Sequence, residues 1–85
     1  MFEAGRVFMN YEGFLSWLRT DRHMRERSAR DTVCRLKRAL RIVSEDSVSD
    51  SIIVKLNEAD EFNKLSMFIK SQLRRAVVLY QEFDK

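Results

Sequence analysis

Eighty-five residues are too few for two hydrophobic cores, so the chain is one domain. An apolar fraction of 45% excludes a disordered chain, and the absence of Pro with only Gly5 and Gly13 removes the turn residues that a sandwich or barrel needs. The net charge of +3 conceals a partition: residues 19–41 hold nine basic and three acidic side chains, residues 45–63 hold six acidic and one basic, and residues 64–85 return to five basic against two acidic.

An all-α bundle of four or five helices follows, and its elements can be taken in chain order. Residues 1–9, with Phe2, Val7, Phe8 and Met9, form a lead-in that either packs on the domain or moves freely. A single domain is expected over residues 10–83. Asn10 is placed to cap a first helix running to Leu18 or Arg19, with Tyr11, Phe14, Leu15 and Leu18 on one face and Gly13 weakening it. The polar stretch TDRHMRER leads to a second helix, predicted to start at Ser28 with Asp31 in a capping-box-like pair. Its apolar positions Ala29, Val33, Leu36, Leu40 and Val43 fall within an arc of about 80°.

SEDSVSDS breaks the pattern, after which Ser49 or Asp50 can cap a short third helix facing inward with Ile52, Ile53 and Leu56. Asn57 to Asn63 reads as another short acidic helical turn, pinned by Phe62. Ser66 then opens a last helix to about Phe83, whose stripe is Ile69, Leu73, Ala76, Tyr80 and Phe83. Trp17, Tyr80 and Phe83 have helical rather than platform spacing, so they are read as core, with Trp17 off the main stripe and partly exposed.

The inventory for catalysis is thin. Cys34 is the sole cysteine and His23 the sole histidine, so neither a disulfide nor a zinc cluster can be assembled. Cys34 within the second helix is expected as a small, partly buried packing residue. Acid pairs such as Glu45/Asp46 and Asp60/Glu61 read as helix-end and solvent charges. No enzyme activity, cofactor, metal or small-molecule substrate is expected. A lone cysteine suggests a reducing compartment, MFEAGRVFMN lacks the basic start and apolar stretch of a signal peptide, and no apolar run is long enough for a bilayer. A soluble, cytoplasmic protein is the resulting expectation.

The basic residues carry more information. Arg30, Lys37 and Arg41 project within roughly 40° of one another beside the apolar face of the second helix, with Arg35 and Arg38 on its far side. Arg22, Arg25 and Arg27 lie just upstream; Lys70 and Arg74 form an i,i+4 pair on the last helix, with Arg75 on its other flank. Arg outnumbers Lys eleven to five, which suits bidentate contacts to phosphate and guanine. Solvated helix surface and nucleic-acid interface are the two readings of this set.

The order of these elements resembles the core-binding domain of tyrosine recombinases, the SAM-like helical domain that precedes the catalytic domain of phage integrases. YEGFLSWL matches its aromatic-rich first helix, RSARDTVCRLKRAL its Ser-led basic second helix, and LSMFIKSQLRRAVVLYQEF its aromatic-ended last helix. Val33 stands where the family usually has an aromatic, and nothing corresponds to the catalytic domain; Tyr80, on a buried stripe, is not its nucleophile. The resemblance implies non-catalytic binding of duplex DNA in a DNA integration or recombination system. The second and last helices would then face the DNA, through Arg22, Arg25, Arg27, Arg30, Lys37, Arg41, Lys70, Arg74 and Arg75. A catalytic domain or another protein would be a further partner. The alternative is a protein-interaction or oligomerisation module that pairs the basic and acidic surfaces.

Overall fold

The computed structural model describes residues 9–84, and they form five helices with no strand among them. These are α1 (Tyr11–Thr20), α2 (Glu26–Val43), α3 (Ile52–Glu58), α4 (Asp60–Asn63) and α5 (Met67–Phe83). Of the lead-in, Met9 is half-buried against the core, while Phe2, Val7 and Phe8 lie outside the described residues. The bundle is flattened, 37 × 35 × 16 Å along its principal axes.

Helix α1 starts where the sequence places it. The Asn10 side-chain oxygen accepts the Gly13 N–H at 2.9 Å, and the Asn10 N–H donates to the Tyr80 hydroxyl at 2.9 Å. A Cβ at residue 13 would collide with the Asn10 amide, so the glycine makes room for the cap that starts its own helix. The chain then reverses through His23 in the left-handed region (φ 55°), with the Met24 N–H donating to the Leu18 carbonyl at 3.0 Å.

Helix α2 corrects one expectation. It begins at Glu26 after Arg25, two residues before the anticipated Ser28 cap, and no side chain caps it. Ser28 lies inside the first turn, where its carbonyl accepts the Thr32 hydroxyl at 2.9 Å. The His23 reversal directs the backbone into the helix early, and Glu26 supplies the negative charge that the N-terminus favours. The buried face is also turned: Ala29, Thr32, Leu36, Ala39 and Leu40 are buried, whereas Val33 and Val43 are only partly so. The shift is about 30° at 100° per residue. Left-handed Ser44 (φ 56°) ends the helix, with the Ser44 N–H donating to Arg41 O and the Glu45 N–H to Leu40 O. This is the hydrogen-bond pattern that glycine usually closes.

Helix α3 follows Ser51, rather than a cap by Ser49 or Asp50, and buries Ile52 and Leu56 while Ile53 is only partly covered. Phe62, fully buried, anchors α4. Ser66 caps α5 by accepting the Ile69 N–H at 3.2 Å. The buried positions of α5 are Leu73, Ala76, Val77, Leu79 and Tyr80, an arc of about 160° that is wider than one apolar stripe. The width reflects position: α5 packs against α1, α2 and α3, and its pairing with α2 is the principal helix contact. Phe14, Trp17, Tyr80 and Phe83 close one end, with ring centroids 5.0–6.1 Å apart.

Thermal unfolding should distinguish these serines. Ser28→Ala should shift stability by no more than about 0.5 kcal/mol, whereas Ser66→Ala should cost about 1 kcal/mol. Ser44→Gly should stabilise by about 1 kcal/mol, because it removes the Cβ from a left-handed residue. Leu40→Ala or Leu73→Ala should cost about 2–5 kcal/mol, since each removes a buried side chain from the α2–α5 core.

Candidate nucleic-acid interface

The buried face of α2 decides which of its cations are exposed. With Thr32 and Ala39 buried, the outward arc carries Arg27, Arg30, Lys37, Arg38 and Arg41, all exposed, within about 100° of helix circumference. Arg38, assigned from sequence to the far side with Arg35, thus joins the group. Arg35 turns the other way and is half-buried in the cleft between α2 and α5. Glu26 and Asp31 border the arc. The one ion pair within it joins Arg30 Nη2 to Glu26 Oε2 at 2.7 Å across one exposed helical turn, an arrangement that contributes only about 0.3–0.5 kcal/mol.

The nine sequence-derived residues do not share one surface. Arg27, Arg30, Lys37 and Arg41 lie on the α2 arc, and exposed Arg25 immediately precedes the helix. Arg22 is drawn to the aromatic end, with Nη1 3.5 Å from Glu82 Oε1 and the guanidinium 5.8 Å from the centre of the Trp17 ring. Lys70 and Arg74 sit over Phe62 at 5.7 and 5.6 Å, and Arg74 Nη1 donates to Asn57 Oδ1 at 3.2 Å. Arg75 lies on the opposite flank of α5, lining the same cleft as Arg35. Lys37 has a local aromatic neighbour, its ammonium being 4.8 Å from the centre of the Tyr11 ring.

Cys34 corrects a second expectation: it is exposed, in the middle of the basic arc. Residue 34 lies about 140° from the centre of the apolar arc read from sequence and about 170° from that of the buried face, so its exposure follows from its helical position. His23 is exposed as well, in the turn before α2. Among the described residues no three His, Cys, Asp or Glu side chains gather as a metal site, and no helix is long and apolar enough to cross a membrane. Comparison with protein-family models, curated proteins and solved structures finds no match to the chain.

Burial, and secondarily the nearby Tyr80, raises the Tyr11 phenol above its ordinary 10.0. The folded state therefore holds this proton more tightly than the unfolded chain does. The resulting stability is complete below pH 10 and declines as the pH rises through the elevated value. Tyr11→Phe should lose less stability than the parent over that alkaline range, measured by urea unfolding at stepped pH, and equal losses would dismiss Tyr11 as the cause.

Proposed function

We propose that the domain is a non-catalytic duplex-DNA-binding element of a recombinase-like DNA-processing protein. The observation that carries this reading is the outward arc of α2: five exposed cations, no carboxylate between its two acidic borders, and a length from Arg27 to Arg41 of about 21 Å. Duplex DNA carries one charge per about 1.7 Å of axis, and its major groove, about 12 Å wide, admits a helix. Arginines dominate the arc, and their forked donors match phosphate and guanine edges. The order of the helices adds the resemblance to core-binding domains. Lys70 and Arg74, engaged with Phe62 and Asn57 on another flank, are left off the primary interface.

One observation favours the protein-interaction reading instead. Met67 and Phe68, at the start of α5, are 78% and 70% exposed, an apolar pair that a partner could cover. Light scattering of the free protein, with Phe68→Ser as the comparison, would reveal self-association through that corner.

Duplex titrations over a salt series test the DNA reading. Affinity should fall with salt at a log–log slope of about −0.9 per phosphate contact. Arg38→Gln with Arg41→Gln should make the slope shallower by about two units while retaining helix propensity. The charge-matched pair Lys64→Gln with Lys70→Gln should leave the slope close to the parent. No binding at low salt by folded protein, or equal effects of the two pairs, would overturn the assignment.

A further inference from the structure

Helices α2 and α5 pack closely but leave a half-open cleft of about 350 Å³ along one side of their contact. Ala76 and Leu79, both buried, line its inner part. Ser28 and Arg35 reach it from α2, and Gln72 and Arg75 from α5. No carboxylate lines it. In contrast, three further clefts lined by cations also hold Glu12, Glu26 or Asp31. Arg35 and Arg75 also take no part in the three ion pairs among the described residues. Arg35 is half-buried, yet no buried side-chain nitrogen among the described residues lacks a partner, so its unpaired guanidinium remains open to a ligand entering the cleft.

We propose that this cleft binds a phosphate group, held between the Arg35 and Arg75 guanidiniums. Two planar forks arriving from different helices can each give paired N–H donors to the oxygens of one phosphate. The Ser28 hydroxyl and the Gln72 amide supply further donors from the same two helices. The Thr32 hydroxyl does not join them, since its proton is directed to the Ser28 carbonyl at 2.9 Å and towards Met24 Sδ at 3.8 Å. The apolar inner wall limits water around the ion pair, which strengthens a charged contact relative to one on open surface. The phosphate belongs either to a small phosphorylated molecule or to a nucleic-acid backbone; the recognition chemistry is the same. The site does not rest on the DNA reading, because Arg35 and Arg75 lie outside the α2 arc.

The test uses the whole chain with two probes, inorganic pyrophosphate and a short DNA duplex, each titrated calorimetrically. Arg35→Gln and Arg75→Gln should each weaken the bound probe about tenfold or more. Ser28→Asp, at an exposed position, should abolish binding by placing a carboxylate in the cleft, while Lys64→Gln should have little effect. Circular dichroism melts confirm that each variant is folded, and Arg75→Gln, at an exposed residue, keeps the test available if Arg35→Gln unfolds. Pyrophosphate binding lost in these variants identifies a small-molecule phosphate site. Duplex binding weakened in them, with pyrophosphate inert, identifies a backbone phosphate. If pyrophosphate and duplex both fail to bind, or bind equally well to all variants, the cleft is not a phosphate site. Loss of duplex binding in Arg38→Gln with Arg41→Gln alone, with pyrophosphate inert, would leave the DNA reading standing and remove this one.

Discussion

Helix α5 is the strut on which the other elements are hung. Its buried arc, from Leu79 through Ala76, Tyr80 and Leu73 to Val77, is wide enough for α5 to pack against α1, α2 and α3 at once. Tyr80 adds a directional contact: its ring packs 5.0 Å from Phe14 while its hydroxyl accepts the Asn10 N–H at the start of α1. The short helices cannot stand without it, because segments of seven and four residues gain little from their own hydrogen bonds. They persist because Ile52, Leu56 and Phe62 enter the core assembled around α5.

The parts of this fold that were readable from sequence are those governed by local rules. Asn10 and Ser66 cap their helices as their residue types suggest, and Phe62 pins the turn expected around it. The errors arise where tertiary contact overrides a local signal. Ser28 has the chemistry of a cap, but the His23 reversal starts the helix before it. Val33 and Val43 are more apolar than Thr32 and Ala39, yet the latter pair is buried because their side of α2 meets the other helices. Thr32 tolerates burial because its hydroxyl is satisfied by the Ser28 carbonyl one turn back. A rotation of about 30° is invisible to an apolar pattern this broad, yet it turns Arg35 towards the packed side, where it is half-buried, and leaves Arg38 exposed.

The same limitation governs the charges. Summed along the chain, the basic segments suggest one extended cationic surface. In three dimensions Arg22, Lys70 and Arg74 are engaged by neighbours that are remote in sequence, Glu82, Phe62 and Asn57. What remains is a narrower division between an exposed ridge on α2 and a recessed pair at its junction with α5. Sequence counts charge; packing decides its direction.

The thinness of the molecule has a consequence for how it can change. With a shortest dimension of 16 Å, there is no deep interior to absorb a rearrangement before it reaches the outside. Leu36, fully buried, stands between half-buried Arg35 and exposed Lys37 on the same turn of α2. The three share one stretch of backbone, so a change in how Leu36 packs bears on both cations, one on the cleft side and one on the ridge. Core packing at Leu36 and the placement of its two cationic neighbours are therefore not independent.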